Sequence, residues 1–273
     1  MNVLVVGGKG YIGSVLVPQL ISDGHAVSVF DDMTGRTGPQ HCEGVDALIY
    51  LAGLTNNDDC ERFKILNYAI NHQALEWAVQ MADFCKVKHF IYASSAAVYG
   101  SSDRKAKEDG SLGGTTAYAS GKRYCESIIT RIRGMAWTIT RAASVCGLSP
   151  VMRYHLTLTK MVRDAKQTGV ITVNGGAQMR SHIHIQDICR FYRLLLTALR
   201  EKTVNQTFNV VCENQSIIDT ARLVAKITGA SIVEQPYTDN RSYSISGEKT
   251  KRILGFECQH TLKEAVREMY EKL

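Results

Sequence analysis

The stretch NVLVVGGKGYIG, residues 2–13, decides the fold. Val3–Val6 is a short apolar run that ends in glycine-rich sequence. Helical periodicity through Tyr11, Val15 and Leu20 follows, and then a second apolar run, Ala26–Phe30. The order is strand, turn, helix, strand. Gly7, Gly8, Gly10 and Gly13 stand between the strand and the helix, and Gly8, Gly10 and Gly13 match the dinucleotide fingerprint. Missing Cβ atoms let a diphosphate approach closely, and the amides and dipole of the helix N-terminus stabilise its charge. Asp31 closes the second strand, where a carboxylate can accept both hydroxyls of an adenosine ribose and repel a 2′-phosphate. NAD is therefore favoured over NADP, with Lys9 and Arg36 as the cations that leave NADP open.

Outward from this unit the alternation continues. Ala47–Leu51, a long helix from about Glu61 to Phe84, His89–Ala93, a helix from about Ala117 to Ile132 and Trp137–Arg141 succeed one another. The pattern predicts an α/β fold with a Rossmann-type, doubly wound parallel sheet, and Pro18 predicts a kink in the first helix. Beyond Pro150 the periodicity is less regular. Helices are expected near Leu156–Lys166, Asp187–Leu199, Ile217–Thr228 and from Leu262, with strands near Val170–Val173, His182–Ile185 and Phe208–Val211. Residues 1–149 are read as mainly the nucleotide-binding domain and 150–273 as mainly a small interleaved substrate lobe, with about 180–212 returning to the sheet.

Composition sets the outer bounds. With 273 residues, 45% hydrophobic and 21% charged, the chain can bury a core, which excludes a disordered or collagen-like polymer. No apolar run reaches the roughly 18 residues of a membrane span, and the N-terminus lacks the charged region and cleavage site of a signal peptide. No membrane association and a cytoplasmic location are expected. The eight cysteines have no paired short spacing, so they read as reduced, mostly buried thiols with neither a disulfide framework nor a metal site. The net charge of +6 is dispersed, so it supports a nucleic-acid patch only weakly, and a small anionic ligand explains the excess equally well; no nucleic-acid partner is expected.

Two further segments carry chemistry: SSAAVYG, residues 94–100, at the end of a strand, and YASGK, residues 118–122, opening a helix. Ser95, Tyr118 and Lys122 compose a Ser-Tyr-Lys triad. Positions i and i+4 share a helix face, so Lys122 is expected beside Tyr118, lowering the phenol's pKa towards a usable base.

With these motifs the chain resembles the extended short-chain dehydrogenase/reductase superfamily, and within it the NAD-dependent sugar-nucleotide epimerase/dehydratase group. GGKGYIG, Asp31, the strand Ala47–Ala52, Asn71, SSAAVYG, YASGK, Arg141 with Gly147, NGGAQMRSHIHIQD and the returning strand at Phe208 occur in family order. The resemblance implies that Ser95 binds the reacting sugar hydroxyl, Tyr118 exchanges its proton and Lys122 holds the nicotinamide ribose. It implies a cofactor site of Gly7, Gly10, Tyr11, Ile12, Gly13, Asp31, Leu51, Ala52, Gly53, Asn71, Tyr118 and Lys122. Ser95, Ser144, Arg180 and Arg241 would contact a nucleotide-diphosphate sugar, and the helices carrying Asn71 and Tyr118 would form a homodimer seam.

Three departures stand out. Asp31 to Asp46 is too short for the family's third strand and helix, Ser144 replaces an Asn, and Gly53 replaces an Ala, the last a minor change. Dehydratases of the group carry an Asp-Glu pair where this chain has Ala96 and Ala97, which removes the extra acid and base that elimination needs. The expected activity is nucleotide-sugar epimerisation at C4 through a transient 4-keto sugar. An NAD(P)H-dependent reductase of a 4-keto sugar and a non-catalytic nucleotide-binding scaffold are the alternatives. His182 and His184 read as strand residues, Arg190, Arg193, Arg200 and Lys202 as a solvated helix face, and Trp77 and Phe84 as core or dimer seam.

Overall fold

A computed structural model describes residues 1–32, 37–236 and 241–273. Arg36, weighed above as a phosphate-attracting cation, lies outside the described residues. Six strands form a parallel sheet: β1 (Asn2–Val6), β2 (Ala26–Phe30), β3 (Ala47–Tyr50), β4 (His89–Ser95), β5 (Ala136–Ala142) and, later in the chain, β9 (Gln206–Val210), in the order β2-β1-β3-β4-β5-β9. The inner strands are continuous apolar runs because helices cover both faces: all four residues of β3 and four of the five in β1 are buried. Helices α1 (Gly13–Ser22), α2 (Ala74–Phe84) and α3 (Ala117–Ile129) connect the strands, and α1 runs through Pro18 without a break.

The sheet ends at β2, with no strand outboard of it among the described residues. In the common doubly wound order a further strand occupies that edge. Its loss leaves β2 exposed on three of five residues, Val29 among them. Between Asp31 and β3 the described chain holds one helical turn, Pro39–Cys42.

The rest of the chain forms two smaller sheets. One contains β6 (Ser144–Cys146), β8 (Met179–His184) and β10 (Glu213–Ser216), and the other β7 (Val170–Asn174) and β11 (Ser231–Gln235). Helices α4 (Thr157–Thr168), α6 (Ile217–Thr228) and α7 (Leu262–Lys272) pack together on a separate apolar cluster that includes Val162, Val224 and Val266. Helix α5 (Ile185–Thr197) packs on α1 and buries Ile188, Phe191 and Tyr192 in the main core. Within 180–212, then, only β9 pairs in the large sheet, while β8 pairs with β6 and β10.

Several expectations change. The helix read from Glu61 to Phe84 is segmented into Asn57–Arg62, Lys64–Asn67, a wide π turn at Tyr68–Gln73 and α2. Trp77 and Phe84 are 40% and 69% exposed, so neither is core. Arg190 is no solvated face residue: it pairs with buried Asp187 at 3.0 Å and lies 4.3 Å from the Phe256 ring centroid. The cysteines are not all reduced, because Cys212 and Cys258 form a disulfide. Their separation of 46 residues hid the pairing, which the fold creates by laying the segment before α7 against the end of β9.

Candidate active site

The crevice lies at the carboxyl ends of the strands, where the chain leaves β2 on one side of β1 and returns as β3 on the other. Gly7 takes φ +85°, and a Cβ there would fall 2.6 Å from Ala52 N; at Gly13 it would fall 2.5 Å from Gly7 O. The spacing in threes through Gly7, Gly10 and Gly13 thus serves the turn. Gly8 also packs beneath Val29 of β2, and its Cα would lie 2.6 Å from a Cβ on Gly13, so it shares in the turn. The amides of Tyr11 and Ile12, at the start of α1, donate to no group among the described residues. A bare backbone cradle with spare donors at a helix N-terminus fits a dinucleotide diphosphate. Asp31 directly follows β2 beside this loop and accepts a hydrogen bond from Lys9 N, which ties the loop to the edge strand.

Across the cradle, Leu51 N and Ala52 N both donate to Val6 O, at 2.8 and 3.1 Å. Asn71, in the π turn, clamps the next residue but one: Leu54 N donates to its Oδ1 at 2.7 Å and its Nδ2 donates to Leu54 O at 2.8 Å. A Cβ at Gly53 would lie 2.8 Å from Asn71 Oδ1. An Ala at 53 would therefore require the Asn71 side chain to give way.

Ser95 closes β4 in extended conformation, and its Oγ accepts from Ala97 N at 3.2 Å, capping the short turn Ala96–Tyr99. Tyr118 lies in the first turn of α3, which Thr116 caps through Ala119 N. Lys122, one turn further, is buried; its Nζ donates to Ala93 O at 2.7 Å and lies 4.7 Å from the Tyr92 ring centroid and 5.9 Å from that of Tyr118. Helical spacing brings the pair together. The electrostatics differ from expectation, since burial raises the Tyr118 phenol and the groups that oppose it are Ser95, by hydrogen bonding, and the Arg153 charge. Burial also pulls Lys122 down to about 8.

Ser144 begins β6. It hydrogen bonds to the Tyr243 phenol, which burial raises and which also feels Arg180 and Tyr118. The Arg180 guanidinium lies 5.3 Å from the Tyr243 ring centroid and donates to Arg241 O. Ser144, Arg180, Arg241 and Tyr243 thus gather beside the triad. Tyr243 and Arg153 carry no periodic or motif signal that would have singled them out.

Beneath the triad runs a buried polar network. Ser94 Oγ donates to Glu126 Oε1 at 2.5 Å, Arg141 grips the same carboxylate through Nε and Nη2, and Arg141 Nη1 donates to Tyr99 OH at 2.8 Å. Tyr99 OH in turn donates to Asn209 Oδ1 of β9 at 2.7 Å. The histidines of β8 are structural: His184 Nε2 bonds Glu268 at 2.9 Å, and the buried ring of His182 is pulled down to about 4 by burial and Arg180. Among the described residues the one candidate metal group, Asp187 with Cys212 and Cys258, has both sulfurs in the disulfide.

A dinucleotide cradle and a Ser-Tyr-Lys cluster at one switch point define an NAD(P)-type α/β oxidoreductase fold. The chain matches the model of the NAD dependent epimerase/dehydratase family over residues 3–211, and belongs to that family. NAD is accordingly its cofactor. It is 24% identical to a UDP-glucose 4-epimerase of Lactobacillus helveticus, covering 95% of this chain and 93% of that protein. It is also 24% identical to UDP-glucuronic acid decarboxylase 1 of Xenopus tropicalis, over 97% of this chain and 70% of that one. The structure of a Thermus thermophilus UDP-glucose 4-epimerase with NAD superposes with a TM-score of 0.85 at 19% identity, covering 99% of this chain and 98% of that one. No helix among the described residues is long and apolar enough to cross a membrane.

Proposed function

We propose that the protein is an NAD-dependent nucleotide-sugar epimerase that inverts C4. The observation that carries this reading is the grouping of Tyr118 with Ser95 and with Tyr243, which itself stands beside Arg180 and Ser144, with Lys122 buried one helical turn behind. When bound, NAD supplies a reversible two-electron acceptor at the sugar carbon. The cradle from Gly7 to Gly13 would hold its diphosphate, Asp31 its adenosine ribose and Lys122 its nicotinamide ribose.

Ser95 Oγ orients the sugar hydroxyl, and Tyr118 accepts the hydroxyl proton as the 4-keto sugar forms. Arg180 and Arg241 hold the nucleotide diphosphate by charge-assisted hydrogen bonds while the ring presents its other face. Tyr118 then returns the proton, so proton and cofactor are both regenerated. Ala96 and Ala97 offer no acid or base beside Ser95, which favours epimerisation over loss of water.

One observation favours a second reading, a reductase of a nucleotide 4-keto sugar with exchanging cofactor: the sheet stops at exposed β2, which removes one wall of the adenosine side. Mass spectrometry of the nucleotide released on denaturation separates the two. The epimerase reading expects near-stoichiometric NAD per chain; cofactor-free protein that binds and consumes NADPH would replace it with the reductase. The homodimer belongs to the same proposal, supported by exposed Tyr68, Trp77 and Tyr124 on the helical face around Asn71 and Tyr118.

A further inference from the structure

Close to the triad stands a cation that makes no salt bridge among the described residues. A cavity of about 600 Å³ is lined by Arg153, His155, Lys160 and Arg163, with Met152 and Tyr154. Lys160 and Arg163 both pair with Asp164. Arg153 makes no salt bridge among the described residues; its Nη2 lies 2.9 Å from His155 Nε2. Burial and the Arg153 charge both favour neutral His155, so this partner accepts a hydrogen bond without supplying an anion.

The segment leading to Arg153 is fastened to the cofactor loop. Tyr11 OH donates to Gly147 O at 2.7 Å, Ser149 Oγ donates to Tyr11 O at 2.7 Å, and the Ser14 and Ser149 hydroxyls lie 2.9 Å apart. Four residues beyond Ser149, Arg153 acts electrostatically on the phenols of both Tyr11 and Tyr118, and burial disfavours its charged form. Arg153 thus stands at the seam between the glycine loop and the reacting tyrosine. A half-buried guanidinium without a counter-ion carries part of its desolvation cost uncompensated, and an arriving anion offsets that cost.

We propose that Arg153 is a ligand-binding residue that pairs with an anionic oxygen, phosphate or carboxylate, of a molecule bound at this seam. The inference rests on the reading above only in taking the seam as shared by cofactor and substrate. Two sources supply such an oxygen: the dinucleotide diphosphate, or the substrate through its own diphosphate or an acid group on its sugar. Bidentate geometry suits guanidinium for either.

The test is calorimetric titration of full-length wild type, Arg153→Met and Arg153→Lys with NAD, and of the NAD-saturated proteins with UDP, UDP-glucose and UDP-glucuronate. Arg153→Met should weaken the ligand that carries the paired anion by about tenfold or more, with partial recovery in Arg153→Lys. Loss for NAD alone assigns the cofactor diphosphate. Equal loss for the three uridine ligands assigns the substrate diphosphate, and loss for UDP-glucuronate alone assigns a sugar carboxylate. All four affinities within about twofold of wild type, at unchanged melting temperature, overturn the proposal. Uniform loss that tracks a lowered melting temperature overturns it too, by making Arg153 structural. If Arg153→Met does not fold, Arg153→Gln carries the same comparison. Because binding is read without turnover, a selective effect in a protein with no epimerase activity sinks the proposed function and leaves this one standing; a chain that binds none of these ligands sinks both.

Discussion

Arg141 Nη2 meets Glu126 Oε2 at 2.7 Å with the two side chains only 7% and 5% exposed, and Ser94 and Tyr99 complete the hydrogen bonds around them. The pair joins β5 to α3, the strand and helix on either side of the triad's serine strand. Removing one member leaves an uncompensated buried charge. Arg141→Met should therefore lose about 3–5 kcal/mol in urea unfolding. A loss below about 1 kcal/mol, the range of exposed pairs, would contradict this.

Lys122 pulls the other way. Its pKa falls from 10.5 to about 8 on burial, so below pH 8 the fold bears the desolvation of a charged ammonium, and that penalty fades as pH rises through 8 to 10.5. Lys122→Met should gain stability at pH 7, with an upper bound on the order of 3 kcal/mol before the lost bond to Ala93 O. The gain should shrink by pH 10, and activity should be lost. Denaturant midpoints at the two pH values check it, and a variant less stable at pH 7 would contradict it.

Ser95 lowers a phenol that burial raises, so the two residues set the base together. Ser95→Ala should slow turnover by about 10²–10⁴ and move the apparent pKa of the proton-accepting limb upward. A slower enzyme with an unmoved pH profile would reduce Ser95 to a structural cap of the Ala96–Tyr99 turn.

The Cys212–Cys258 bridge closes a separation of 46 residues and anchors the segment leading into α7. On the chain-entropy model such a loop stabilises by about 4 kcal/mol. Dithiothreitol should lower the urea midpoint correspondingly, and Cys258→Ser should abolish that sensitivity. Equal midpoints with and without reductant would contradict the bridge.

Much of this was legible in the sequence because parallel strands and their helices are local patterns. Val3–Val6, Ala47–Leu51 and the i, i+4 spacing of Tyr118 and Lys122 each state their element within a few residues. The truncated third strand was readable too, since the interval from Asp31 to Asp46 is short. Features made by chain returns were not. Cys212 meets Cys258, Gly53 meets Asn71, and Arg153 reaches Tyr118 only after folding, so spacing held no signal for them. The phenol's raised pKa was missed for a related reason: neighbours suggested Lys122's charge, while burial, a property of the packed site, has the larger effect.

The most direct measurement is proton NMR of the NAD-loaded enzyme with UDP-, dTDP-, GDP- and CDP-hexoses, run beside Tyr118→Phe. The proposed function expects at least one pair of C4 epimers to interconvert to the same ratio from either side, without accumulating reduced cofactor, and expects Tyr118→Phe to be folded and inactive. Loss of water from the sugar, net consumption of reduced cofactor on a 4-keto sugar, or epimerisation that survives Tyr118→Phe would contradict it.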